Sequence, residues 1–261
     1  WVMMDRSPPA DPGILSLLQW PAWKRSWKKV SLSAKAKGCT VSSGHQNLIK
    51  SKLKISQEKF LTLPAGVDLE LFKPTEKNQT LTLVYHGRLD KHRGVLALPM
   101  LAGKSIDQGV DLKLHLIGEG DCLKQLQSLA EEHKFLQVSD NMIQTEVARV
   151  LSCAHIGLLP MPETKLWSIA SPLKRSEYAA SGMLVYGIDH DGHRFPEQHN
   201  LPWLKLVKQH DFHTDAINWM KNFTLEELES NSLMAREFAE KNLSWDKPII
   251  DLENALLTQL N

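Results

Sequence analysis

From Leu81 onward the chain alternates between short apolar runs and stretches of helical periodicity, and this alternation constrains the fold more than any single motif does. The apolar runs are Leu81–His86, Leu112–Ile117, Phe135–Val138, Ala154–Pro160, Met183–Ile188 and Leu204–Val207. Helical stretches fall near 95–107, 121–133, 143–152, 172–181, 211–222 and 225–242. Strands that are apolar on both faces and separated by helices predict a parallel sheet covered on both sides. Such a sheet binds its ligand beyond the carboxyl ends of its strands. The segments at those ends are 87–94, 118–120, 139–142 and 161–175.

Within the last of them, Ser171 can cap a helix, Pro172 can be its first residue and Gly182 can stop it. The start of that helix offers free amides and a partial positive charge, which suit a phosphate. Lys174 and Arg175 lie in the first turn. Glu177 follows about one turn further in, placed to accept hydrogen bonds from vicinal hydroxyls such as those of a ribose. A diphosphate beside a ribose is a nucleotide. The bland alternative for Glu177 is a surface carboxylate paired with Lys174, three residues earlier on the same face.

The segment Ser171-Pro172-Leu173-Lys174, followed by Glu177-Tyr178, Ala180 and Gly182, resembles the donor-binding helix of retaining glycosyltransferases with two Rossmann-like domains, the GT-B fold of the glycosyltransferase family 4 type. Four further segments resemble the same family, in the same order. They are the linker Pro64-Ala65-Gly66-Val67-Asp68 with Phe72 and Pro74, the loop Gly87-Arg88-Leu89 with Gly94, the turn Gly118-Glu119-Gly120, and Leu243-Ser244-Trp245-Asp246 before the last helix, near 246–260. The resemblance spans roughly residues 60 to 255. It implies an α/β chain: a doubly wound Rossmann-like donor domain at 69–243, the tail of an N-terminal Rossmann-like acceptor domain with linker at 1–68, and a closing helix at 244–261 that packs back toward the N-terminal domain.

The same resemblance assigns the site. Arg88 and Arg93 are the expected catalytic residues, converging on the departing diphosphate through their planar donor forks. The family usually has Lys where Arg93 stands, and Lys91 is an alternative occupant. The other reading of Arg88 is a loop salt bridge with Asp90. Gly87 and Gly118 permit close backbone approach. Val138 and Ser139 stand where the family reads the nucleobase through main-chain bonds. Ser171 and Lys174 are expected phosphate contacts, and Glu177 the ribose contact. The chain departs from the family's paired-Glu pattern, because Ile169 occupies the position eight residues before Glu177 and Glu163 is off register. No metal or other cofactor is expected, since Arg side chains and the helix dipole replace a metal at the diphosphate. Asp189-His190-Asp191 has the form of a metal-binding Asp-x-Asp, but it falls late, after the fifth strand, and is read as a polar loop. His190, His193, His199, His210 and His213 are irregularly spaced and are expected at the surface.

The chain of 261 residues carries 31 basic and 30 acidic side chains. Nucleic-acid binding usually shows a basic excess, so nucleic acid is not an expected partner. Cys39, Cys122 and Cys153 form no metal-ligand spacing, and their sparse, odd number fits a reducing compartment. No apolar run approaches the ~20 residues needed to span a bilayer, and no signal-peptide pattern is found. The expected location is the cytoplasm. Residues 20–29 raise a peripheral position at the inner membrane face: Trp20, Trp23 and Trp27 lie among Lys24, Arg25, Lys28 and Lys29, and residues 20–59 hold ten Lys or Arg against one acidic residue, Glu58. The alternative is a helix whose Trp face is packed and whose basic face is solvated. Residues 1–13 read as a loop and 14–37 as helices. The chain begins at Trp1 and is shorter than the family's two-domain enzymes, so an upstream part is expected to be missing.

The function expected from these readings is transfer of a sugar from a UDP- or GDP-sugar to a saccharide or lipid-linked glycan, with retention. The alternatives are a fragment that binds nucleotide-sugar without transfer and a nucleotide-sugar epimerase on the same architecture. A dinucleotide-dependent oxidoreductase is disfavoured, because no G-x-G-x-x-G follows the first strand with an acidic residue ~20 positions on.

Overall fold

A computed structural model of the chain describes residues 1–9, 14–195 and 201–257. The chain divides into two compact units. The first takes the described residues of Trp1–Gly66, Thr164–Pro172 and Trp245–Asn261, and the second takes those of Val67–Glu163 and Leu173–Ser244.

The first unit holds a parallel three-stranded sheet in the order β1 (Val2–Met4), β2 (Lys37–Thr40), β3 (Phe60–Thr62). One helix, α1 (Ile14–Leu32), runs without a break through Pro21, where separate helices were expected. The helix α2 (Ser43–Lys52) is capped by Ser42, whose side chain accepts the His45 amide. β1 corrects the reading of residues 1–13 as a loop. The cause is Asp5, which is buried and accepts the indole N–H of Trp23 at 2.8 Å and of Trp27 at 2.7 Å. Trp27 is fully buried against Phe60 and lies over Gly38, where a Cβ would collide with its ring. The two indoles are therefore turned inward, while Lys24, Arg25, Lys28 and Lys29 are exposed. Among the described residues no helix is long and apolar enough to cross a membrane.

The second unit is built on a six-stranded parallel sheet. Along the chain it runs β4 (Leu81–His86), α3 (Ala97–Asp107), β5 (Leu112–Ile117), α4 (Leu123–Glu132), β6 (Leu136–Ser139), α5 (Gln144–Cys153) and β7 (Ile156–Leu159). It continues through α6 (Leu173–Ala180), β8 (Leu184–Ile188), β9 (Leu204–Val207), α7 (Phe212–Lys221) and α8 (Leu225–Asn242). The strand order is β6-β5-β4-β7-β8-β9. Counted from the unit's own first strand this is 3-2-1-4-5-6, the order of a doubly wound Rossmann sheet, which reverses direction between β4 and β7. The strands are apolar on both faces because both are covered: Leu83, Val84, Leu114, Leu116, Ile156 and Leu158 are all buried. The chain then returns to the first unit, where α9 (Asp246–Leu257) lies on β3 and Trp245 fills the space beside Gly66.

Two half-buried cations fasten the second unit's helices. Lys77 donates to the carbonyls of Ser152, Ala154 and Ser181 at 3.2, 2.8 and 2.9 Å, satisfying acceptors that follow α5 and α6. Arg236 on α8 reaches the carbonyls of Leu69, Phe72 and Ala180 through Nη1. The sheet meets α6 through Gly157, whose missing side chain is replaced by the ring of Tyr178. A methyl at that position would fall on the ring. Gly157→Ala is expected to push Tyr178 off the sheet and lower stability by about 1–3 kcal/mol, the range for overpacking a closed core. Urea unfolding checks this, and a midpoint equal to that of the parent would show that the contact is loose.

Candidate functional site

The strand reversal places the ends of β4 and β7 side by side, with their following segments parting to opposite faces of the sheet. After β4 the chain passes Gly87. After β7 it reaches α6 and Lys174 within the same unit. These elements meet: Lys174 Nζ would stand 3.1 Å from a Cβ built on Gly87. Close approach of a ligand to backbone is possible there because Gly87 and Gly118 have no side chains. Gly118 sits at φ 141°, a conformation open to glycine, and a Cβ on it would collide with the Gly87 carbonyl.

Lys174 is buried, 8% exposed, and no carboxylate lies within 4 Å of it among the described residues. Its Nζ sits 4.7 Å from the Tyr85 ring centre and 4.0 Å from Met161 Sδ. Neither is a full counter-charge. Burial, with the nearby Arg93 cation adding to it, pushes the ammonium down to about 8. A desolvated cation beside the backbone of Gly87 is a strong attractor for an anion.

Glu177 is buried one turn along α6, and its carboxylate approaches His86 rather than Lys174. His86 Nε2 lies 3.1 Å from Glu177 Oε2. The approach is misaligned, so neither atom has a hydrogen-bond partner among the described residues. An unfilled buried carboxylate oxygen is costly, and it is satisfied by a hydroxyl donor. The Tyr178 hydroxyl accepts the His86 amide at 3.4 Å, which ties α6 to the end of β4.

Arg88 and Arg93 lie in the same loop and share Asp90. Arg88 donates to both Asp90 oxygens, at 3.2 and 3.1 Å, and to Glu119 at 3.0 Å. Arg93 Nε is 3.5 Å from Asp90. Burial works to raise Asp90, yet the bonds from Arg88 and the Asp121 amide and the charge of Arg93 hold it below the ordinary carboxylate value. Arg88 thus makes the loop salt bridge with Asp90, and any phosphate must draw its exposed guanidinium away from two carboxylates. Lys174 meets no such competition.

Ser139 closes β6, so the strand ends one residue later than expected. Its carbonyl accepts the Gly118 amide at 3.0 Å and its hydroxyl lies 2.8 Å from His115 Nε2. Val138, half-buried, stands beside it in the ladder opposite Leu116. Ser171 belongs to the first unit, where its hydroxyl accepts the Ala65 amide at 3.2 Å.

Two histidines correct the sequence reading. His190 and His193 are buried, at 3% and 0% exposure, with ring centres 3.8 Å apart. His190 Nε2–H donates to the Met161 carbonyl and His193 Nδ1–H to the Ile188 carbonyl. Burial keeps both below the usual imidazole value. No local pattern signals this, because the rings are covered by segments distant in sequence. His210 is exposed and His213 half-buried, while His199 lies outside the described residues. Asp189 and Asp191 both pair with Arg194, which satisfies the Asp-x-Asp motif with an internal cation. His86 was not singled out from the sequence. Its signal is its place as the one imidazole in the β4 run, directly before Gly87.

The fold of the chain is shared with solved structures. A mutant of S. aureus TarM, solved with Fondaparinux, alpha-GlcNAc-glycerol and UDP, superposes at TM-score 0.75 with 13% identity, over 98% of this chain and 50% of that one. WaaG, a glycosyltransferase involved in lipopolysaccharide biosynthesis, gives 0.72 and 13%, over 97% and 73%. Sucrose-phosphate synthase from Thermosynechococcus elongatus gives 0.71 and 17%, over 100% and 67%. These neighbours are GT-B glycosyltransferases. The fold is Rossmann-like, as theirs is. The chain spans about half the length of TarM. No protein-family model and no curated protein sequence matches it.

The burial of Lys174 generates a stability prediction independent of any ligand. Its ammonium titrates at about 8 in the fold against 10.5 when free. The unfolded chain therefore holds the proton more tightly, and stability rises with pH between those values. Below pH 8 the full desolvation cost is present. Lys174→Met, beside Met161 and Tyr85, is expected to raise stability at pH 7 by about 1–3 kcal/mol. The advantage should shrink as pH climbs from 8 toward 10.5. Chemical unfolding at a series of pH values checks it, and a Met variant less stable than the parent at pH 7 would mean that the ammonium is compensated.

Proposed function

We propose that this chain carries the donor-binding part of a glycosyltransferase that takes a sugar from a UDP- or GDP-sugar and passes it, with retention, to a saccharide or lipid-linked glycan. One observation carries the reading: a buried lysine with no ion-pair partner among the described residues stands at the strand reversal against Gly87, one helical turn from an unfilled carboxylate oxygen. A diphosphate and a ribose complement that pair. The printed ligands of the TarM neighbour, UDP among them, are consistent with it.

In this reading Lys174 and Arg93 neutralise the diphosphate as the bond to the anomeric carbon breaks. Stabilising charge that develops on a leaving group is usually the largest catalytic term. Arg88 joins them by exchanging Asp90 and Glu119 for phosphate oxygens. Gly87 and Gly118 let the diphosphate approach the backbone, and the amides of the first turn of α6 add donors. Together these cations and amides take the place of a metal ion. Glu177 accepts from the ribose hydroxyls, with His86 as its neighbour. The main chain at Val138 and Ser139 borders the base.

Calorimetric titration with UDP and with GDP, run beside a donor-hydrolysis assay, tests the reading. One of the two nucleotides is expected to bind, and Glu177→Ala to weaken it by about 1–3 kcal/mol, the cost of leaving polar partners unmade. Turnover of a donor separates transfer from mere binding. If neither nucleotide binds, or if Glu177→Ala and Lys174→Met both bind as the parent does, the site is elsewhere. A further outcome follows from protonation. An anion needs Lys174 charged, so affinity should fall as pH rises above about 8. Lys174→Met should lose that decline.

A further inference from the structure

The second unit has a cavity of about 650 Å³ at the other end of its sheet, bounded by the residues leading into β4, by the first half of β5 and by the last turn of α5. It falls within the size range of small-molecule sites, roughly 300–1,000 Å³. Lys113 stands on its rim, five residues before Gly118, which at about 3.3 Å per residue puts this rim about 16 Å from the glycine turns.

The charge around it is one-sided. Lys113, Lys134 and Arg149 line it, and no carboxylate does. Each of the three is exposed, and none has a side-chain hydrogen bond or ion pair among the described residues. The chain as a whole has 31 basic and 30 acidic residues, so a lining with three cations and no carboxylate is not what its composition supplies by default. Like charges brought together around a low-dielectric wall repel, and an anion between them relieves this. Gln137 adds a side-chain amide from β6, in register with His115. The remaining walls join the polar Asn78, Gln79, Thr80 and Thr82 to an apolar side made by the half-buried Phe135 and Val150.

We propose that this cavity is a second ligand site, for a small phosphate monoester: the three cations take the phosphate, and Phe135 and Val150 take the body of the molecule. His115, at the floor, is held near 4 by burial and so presents a neutral ring at physiological pH. The site is separate from the one at the strand reversal and does not depend on the function proposed for that one.

The test uses the full chain in the Lys174→Met background, so that binding at the strand reversal is disabled. The probes are adenosine monophosphate, glucose 6-phosphate and inorganic phosphate. One of the two esters is expected to bind more tightly than inorganic phosphate. A tighter nucleoside ester identifies a planar body against Phe135, and a tighter sugar ester a polyol. Adding Lys113→Glu and Arg149→Glu should weaken the ester at least about tenfold, which is 1.4 kcal/mol. Both side chains are exposed, and a thermal melt confirms the fold. A second readout needs no variant. Cys153 lines the cavity and is half-buried, whereas Cys39 and Cys122 are buried. The bound ester should slow alkylation of Cys153 by iodoacetamide in proportion to its occupancy. The proposal fails if neither ester binds at about 10 mM, well above the millimolar range where binding is worth ~4 kcal/mol. It fails equally if the doubly reversed variant binds as its parent does, or if a bound ester leaves Cys153 labelling unchanged.

Discussion

The ring of Tyr178 lies where the side chain of residue 157 would be, and the second unit's ligand-facing end depends on that contact. Because Gly157 has no Cβ, α6 can sit close against β7. The hydroxyl of the same tyrosine reaches the His86 amide at the end of β4. One aromatic side chain thus links the two strands that flank the reversal, and its helix carries Lys174 and Glu177 to them. The first unit uses the same device, with Trp27 over Gly38. In both cases a glycine in a strand surrenders β propensity so that a large ring can fix the distance between helix and sheet.

That fixed distance explains the contrast among the cations. Arg88 and Arg93 are in a loop with Asp90 in reach, and they neutralise it. Asp90 is buried, while the Arg88 guanidinium that pairs with it is half exposed and can turn to another partner. Lys174 is held by its helix where no carboxylate comes within ion-pair distance among the described residues, so its charge is kept at the expense of the fold. Stability and ligand attraction oppose each other at this residue. A protein selected for stability alone would place an apolar side chain there.

Much of this was legible in the sequence, and the failures share a cause. Leu81–His86 and Leu112–Ile117 were found at their true bounds because a strand buried on both faces is apolar throughout, and that pattern is local. The Ser-Pro start and Gly182 stop bracketed α6 for the same reason. β1 was missed because three residues carry no period, and because Asp5 reads as a turn former. In the structure it is a buried acceptor for two indoles more than 15 positions away. His190 and His193 were placed at the surface because Asp and Gly surround them. Their burial comes from the Met161 carbonyl and from each other, which no window of sequence contains. The misaligned approach of His86 to Glu177 is likewise a product of packing between β4 and α6.

The histidine pair also bears on why Lys174 stays unpaired. The segments after β7 and after β8 need polar ties, since each has a carbonyl turned inward, at Met161 and at Ile188. A buried carbonyl can be satisfied by any donor. Arg175 supplies a charged one for the carbonyls of Gly192 and Arg194. At Met161 and Ile188 the donors are imidazoles: burial lowers His190, and burial, His190 and the Arg175 and Lys174 charges lower His193 well below the usual imidazole value. A neutral donor anchors these carbonyls without adding charge to the surroundings of Lys174. Another ammonium would depress Lys174 further, and a carboxylate-bearing network would neutralise it and compete with any incoming anion. Histidine meets the hydrogen-bond requirement and leaves the field of the buried Lys174 directed at Gly87.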